Sequence, residues 1–226
     1  MADPRWKSAE TVRIRPDDPA YPASLGSCLG DGAPPSISAI GNLELLRRPT
    51  LALFCSIRCP GRLILRTYDL AQLLRQSNLA IVGGFHTPVE RECLKALLRG
   101  PEPVIYCPAR AIEGIEVTSD WRKPLAEGRM LILSGFAESD PRVTLDTAAA
   151  RNRFVGALVD GAFVAHAQAG GRTEALCRQM LSWKKPLYTF DDEANANLLE
   201  IGARVTSPSA FLEKTAAGPW PPPPIS

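Results

Sequence analysis

From Thr50 onward, short apolar runs alternate with longer segments of helical period, and this alternation constrains the fold more than any other feature of the chain. A strand buried on both faces of a parallel sheet has no polar side to present, so it reads as an unbroken apolar run. A helix covering such a sheet shows apolar residues every three or four positions. Residues 51–55, 78–82, 103–106, 130–133, 162–165 and 186–189 fit the first description, with a further short strand near 204–206. Between them, residues 62–76 carry Leu63, Leu70 and Leu74 on one stripe, and residues 89–98 carry Val89, Cys93 and Leu97. Residues 145–159 place Leu145, Ala148, Ala149, Asn152, Val155, Gly156 and Val159 on an inward stripe, and Thr173, Leu176, Met180 and Trp183 mark the next helix. The pattern predicts an α/β fold, a doubly wound three-layer sandwich with a mainly parallel sheet.

A chain of 226 residues suits one main domain. Residues 1–46 are rich in Pro, Gly and Ser; Tyr21-Pro22 and Pro34-Pro35 favour extended or turn geometry, so a small irregular N-terminal extension is expected there. Residues 47–213 form the main domain, and residues 214–226 a Pro-rich tail that can continue neither a helix nor a central strand. The net charge of +2 excludes a global field that draws the protein onto polyanions, so any nucleic-acid contact must come from local clusters. Six scattered cysteines with no signal peptide before them point to reduced thiols and a cytoplasmic location. With only His86 and His166 to join Cys55 and Cys59, no metal site is expected, and no apolar run approaches the roughly 20 residues of a membrane span.

In an open parallel sheet, ligands gather beyond the carboxyl ends of the strands, so the loops after each strand are where chemistry is sought. After the first comes Cys55-Ser56-Ile57-Arg58-Cys59-Pro60; the stretch between Glu44 and Asp69 holds five arginines and no acid. Ser56 and backbone N–H groups there can bind a phosphate, with Arg58, but not Arg47, Arg48, Arg62 or Arg66, supplying charge-assisted bonds. After the second comes Gly83-Gly84-Phe85-His86-Thr87-Pro88, where Gly84 permits close backbone approach, Phe85 can stack on a base and His86 can meet a phosphate or a base edge. His166 ends a later strand near the same crevice. Asn152, on its inward stripe between Arg151 and Arg153, needs a partner for its amide, because burying it unsatisfied costs about 1 to 3 kcal/mol. Gly170-Gly171-Arg172-Thr173 opens a helix directly after a strand, an anion-binding arrangement by the physics of nucleotide loops. It lacks the spacing and lysine of a Walker motif. Glu174 either complements the helix dipole or serves as a general base.

These residues resemble the DprA/Smf family of DNA-processing proteins, Rossmann-like domains related to the LOG phosphoribohydrolases. Tyr21-Pro22-Ala23-Ser24-Leu25, Pro34-Pro35 and Gly41-Asn42-Leu43-Glu44-Leu45-Leu46 repeat the family's lead-in, and Arg151-Asn152-Arg153 matches its Arg-Asn-Arg triplet. Cys55-Ser56-Ile57-Arg58 stands where the family has a Gly-Ser-Arg turn, Gly83-Gly84-Phe85-His86 where it has a Ser-Gly turn, and Gly170-Gly171-Arg172-Thr173 at its next glycine turn. Cys55 replaces a glycine, Ile57 is inserted before the arginine, the Gly-Ile-Asp sequence after the second turn is missing, and no winged-helix extension follows. A divergent or truncated branch is therefore expected.

The resemblance implies a homodimer without cofactor or catalysis that binds single-stranded DNA and helps to load a RecA-type recombinase. Arg58, Arg151, Arg153 and Arg172 would contact phosphates, and Phe85 or His86 a base. Two alternatives stay open: a sensor of a nucleotide signal, and a LOG-like hydrolase of nucleoside monophosphates with Glu174 as acid or base. The LOG signature has Pro-Gly-Gly, another glycine, Thr and a later Glu, whereas here Glu174 immediately follows Thr173, a spacing that argues against the second.

Overall fold

The structure is a computed structural model and describes residues 10–137, 142–217 and Trp220. Nine strands form one sheet: β1 (Val12–Ile14), β2 (Ile37–Gly41), β3 (Thr50–Cys55), β4 (Ala80–Gly83), β5 (Val104–Tyr106), β6 (Met130–Ser134), β7 (Gly161–His166), β8 (Leu187–Thr189) and β9 (Arg204–Val205). Their order across the sheet is β1-β2-β6-β5-β4-β3-β7-β8-β9. All pairings from β6 to β9 are parallel, and β1 and β2 add an antiparallel edge beside β6.

Burial alternates along the strands and divides the core in two. Ala52 and Phe54 of β3, Val82 of β4 and Val164 of β7 face α1 (Ala23–Leu29), α5 (Leu145–Leu158) and α6 (Arg172–Ser182). Their neighbours Leu51, Leu53, Ile81 and Phe163 face α2 (Gly61–Leu74), α3 (Pro88–Leu98) and α8 (Pro208–Ala217). The result is the helix–sheet–helix sandwich that unbroken apolar strands require, since each strand must bury both sides. A third cluster, Ile40, Ile112, Val117, Leu125, Met130 and Ile132, lies under α4 (Ser119–Ala126) at the β6 edge. The short α7 (Ala196–Glu200) follows a 3₁₀ turn at Glu193–Asn195.

The lead-in holds more order than its Pro, Gly and Ser content implies. Ile37 and Ile40 of β2 and Ile14 of β1 are buried, so the apolar residues between the prolines extend the sheet instead of forming an irregular flap. Local turn chemistry sets the ends of this segment, while burial against β6 sets its middle.

Candidate nucleic-acid interface

From β3 the sheet grows one way through β4, β5 and β6, then the chain crosses to β7 on the opposite side of β3. Loops leaving β3 and β7 therefore diverge and open a crevice between them, the switch point of a doubly wound sheet. A cleft of about 940 Å³ lies there, walled by the start of α5 and the first turns of α6. Of the residues singled out in the sequence, Ser56, Arg58, His86, Arg151, Asn152, Arg153, Gly171, Arg172 and Thr173 all line it.

Ser56 ties the two diverging loops together. Its N–H donates to the His166 carbonyl (2.9 Å), its hydroxyl donates to Thr173 Oγ1 (3.2 Å), and the same oxygen accepts from the Gln168 N–H (3.1 Å). Gly171 caps α6 without any side-chain cap, and the first-turn residues Arg172 and Thr173 line the cleft beside it. A side chain at Gly171 would meet the Gln168 carbonyl at 2.8 Å, and Gly170 adopts φ +69°, so both glycines serve the tight turn itself.

Glu90 performs the matching task at the β4–α3 turn. The carboxylate of this buried residue accepts from the N–H groups of Cys55 (2.9 Å), His86 (2.9 Å) and Thr87 (3.2 Å), while Thr87 Oγ1 accepts from the Glu90 N–H in a capping box. The exposed His86 is thereby held at the cleft rim.

The guanidinium groups divide into two classes. Arg58 and Arg153 are exposed, line the cleft and have no hydrogen bond or ion pair among the described residues. Arg172 is exposed too, and reaches across to the Leu145 carbonyl (3.3 Å). The remaining arginines near β3 are occupied: Arg47 by Glu44, Arg48 by Glu102, and Arg62 and Arg66 by Asp192. Two exposed cations without a partner among the described residues, and a helix N-terminus, thus border one crevice.

Four expectations need correction. Arg151, not Asn152, is the inward residue of its pair: it is 3% exposed, with Nη1 donating to the Cys107 carbonyl (3.1 Å) and Nε to Asn152 Oδ1 (2.7 Å). Burial lowers its pKa from the ordinary arginine value, partly offset by the Glu90 carboxylate, and its charge belongs to the cleft floor rather than to a phosphate clamp. Phe85 is 3% exposed, with its ring folded over Gly83 at a φ of 44°, so it presents no face to a base. Gly84 leaves room for Arg151 rather than for a ligand. Glu174 does not line the cleft; Asn197 (2.7 Å), Arg178 (2.7 Å) and the Gly170 N–H (3.0 Å) bind its carboxylate and hold its pKa below the ordinary value.

The structure adds an apolar wall to the cleft. Val143, Leu145, Ala148 and Ala149 line it, with Leu145 67% exposed although its spacing fits the inward stripe. The first turn of α5 overhangs the sheet edge, so its apolar face meets the crevice instead of the core. Among the described residues, no group of three or more His, Cys, Asp or Glu could hold a metal ion, and no helix is long and apolar enough to cross a membrane.

Residues 13–214 match the sequence pattern of the DNA recombination-mediator protein A family. The chain belongs to this family. DprA of Streptococcus pneumoniae superposes with a TM-score of 0.74 at 20% identity, covering 92% of this chain and 75% of that one. DprA of Helicobacter pylori gives 0.73 at 21% identity, covering 92% and 96%; its structure describes a single-stranded DNA binding mode of that protein. The molybdenum cofactor binding protein of Rippkaea orientalis is more distant, with a TM-score of 0.53 at 16% identity over 76% of this chain and 97% of that one. No curated protein matches the chain in sequence. The recombination-mediator family and the DprA fold thus agree on a DNA-processing protein with a Rossmann-like domain.

Proposed function

We propose that the cleft at the β3–β7 switch point binds single-stranded DNA, and that the protein acts without catalysis in DNA uptake or recombination. The observation carrying this reading is the convergence of Arg58 and Arg153, both without a partner among the described residues, with the N-terminus of α6 that lacks a side-chain cap. Backbone phosphates satisfy all three, and the apolar wall of Val143, Leu145 and Ala148 offers a surface for base faces. Such contacts tolerate many sequences and weaken as salt rises. Family membership supports the reading, as does the DNA-binding relative from Helicobacter pylori. A homodimer and a RecA-type recombinase as partner complete it. Hydrolysis of nucleoside monophosphates is disfavoured because the Glu174 carboxylate is bound elsewhere.

A fluorescence-anisotropy titration with oligo-dT at low and moderate salt tests the proposal. Binding should weaken with salt, and Arg58→Ala with Arg153→Ala should reduce affinity by about tenfold or more. Absence of binding at both salts rejects it. A second reading, a sensor of a free nucleotide, draws on the size of the cleft, about 940 Å³, which holds a mononucleotide. It predicts a thermal shift with a nucleoside monophosphate and none with oligo-dT.

A further inference from the structure

A second, shallower cleft of about 560 Å³ adjoins the first and shares Ile57, Arg58 and Gln168 with it; Cys59, Pro60 and His166 complete its lining. His166 is 8% exposed, and its ring is oriented by a chain of hydrogen bonds that also fixes its tautomer. Thr189 Oγ1 spends its one hydrogen on the Val164 carbonyl (2.7 Å), so it must accept from Asn195 Nδ2 (2.8 Å). Asn195 Nδ2 also donates to the Ala165 carbonyl (3.0 Å), which turns Asn195 Oδ1 toward His166. Asn195 Oδ1 can only accept, so His166 Nδ1, 3.0 Å away, carries the hydrogen of the neutral ring and Nε2 holds a lone pair. Among the described residues no group bonds Nε2, and the buried side-chain polar atoms without a partner are Nε of Arg75 and Nε of Arg122. Nε2 therefore opens to the cleft it lines.

We infer that this second cleft is a base-reading subsite for a neighbouring nucleotide of the same single strand, with His166 Nε2 accepting from an N–H donor on the base. The inference rests on the function proposed above. Arg58, common to both clefts, meets the phosphate joining the two nucleotides, and Ile57, 69% exposed between them, separates the bases. Ile57 is thus the residue that divides the two subsites. The exocyclic amino group of cytosine or adenine is a suitable donor.

Oligo-dC of twelve nucleotides, and an abasic phosphodeoxyribose strand of equal length, test the assignment by anisotropy. The wild-type protein should favour the base-bearing strand, and His166→Phe should narrow that preference by about three- to tenfold, the loss of one hydrogen bond. Because His166 is buried, the second measurement uses the unaltered protein. Bound oligo-dC should slow iodoacetamide labelling of the half-buried Cys59, read by peptide mass spectrometry, while the half-buried Cys28, outside both clefts, labels at its unbound rate. If the wild-type protein binds neither strand, this subsite and the proposed function fall together. If it binds, but Cys59 stays unprotected and a folded His166→Phe keeps the full preference, the subsite alone is overturned.

Discussion

Gly84 and Arg151 are fitted to each other: a Cβ on Gly84 would fall 0.9 Å from Arg151 Nη1. The arginine occupies the volume that any other residue at 84 would need, and its position lets it reach the Cys107 carbonyl beneath the cleft. Gly84→Ala should therefore destabilise the protein by about 1–3 kcal/mol through overpacking. The double variant with Arg151→Ala should cost less than the sum of the two single changes. Urea denaturation of the four proteins in this cycle measures the coupling, and simple additivity would contradict the fit.

Ser56 joins loops from opposite sides of the switch point through Thr173 and Gln168. Ser56→Ala removes both side-chain bonds and leaves the Gln168 N–H in need of water. The expected cost is about 1 kcal/mol in stability, with weaker oligonucleotide binding than in an Arg62→Ala control, whose guanidinium lies outside the cleft. Equal affinity in the two variants would show that the loop junction does not shape the cleft.

Salt titration separates phosphate contacts from other effects of the cleft arginines. Removing Arg58 and Arg153 together should make the slope of log K against log salt shallower by about 1.4, or about 0.7 for each single-strand phosphate contact. Arg48→Ala, already paired with Glu102, should leave the slope unchanged.

Asp192 accepts two bonds of 2.7 Å from Arg62, which lower its pKa to about 2 against 3.8 for an unperturbed aspartate. A carboxyl with a lower pKa folded than unfolded stabilises the fold fully above the unfolded value. That contribution is lost as pH falls from about 4 through about 2. Because Arg62 is half exposed and solvent screens the pair, the contribution is small. Asp192→Asn should lower the melting temperature at pH 6 and bring it toward the wild-type value near pH 2; a constant gap across that range would reject the assignment.

The central sheet was legible because buried parallel strands leave an uninterrupted apolar signature, and residues 51–55, 130–133 and 162–165 lie within β3, β6 and β7. β1 and β2 were not, since β2 pairs with the sequence-distant β6 and β1 in turn only with β2, contacts that no local pattern records. The clustering of Ser56, Arg58, Asn152 and Gly171 on one cleft follows from the switch-point rule alone. The roles of Arg151 and Phe85 do not: periodicity resolves a helix face only to about a residue, and a ring beside glycines gives no sign of whether it folds inward. Glu90 escaped notice because a Thr-x-x-Glu pair signals a helix start, whereas its bond to Cys55 comes from another strand. The cleft-facing Val143 and Leu145 could have been suspected, as apolar residues ahead of the most regular part of their helix.

The junction at Ser56 spans 112 residues to Gln168 and 117 to Thr173. The cleft is therefore a property of the finished fold, and no contiguous fragment shorter than the segment from β3 to α6 can assemble it. A nascent or partly unfolded chain would carry the same arginines yet lack the crevice that concentrates them, so ligand capture would report completion of folding.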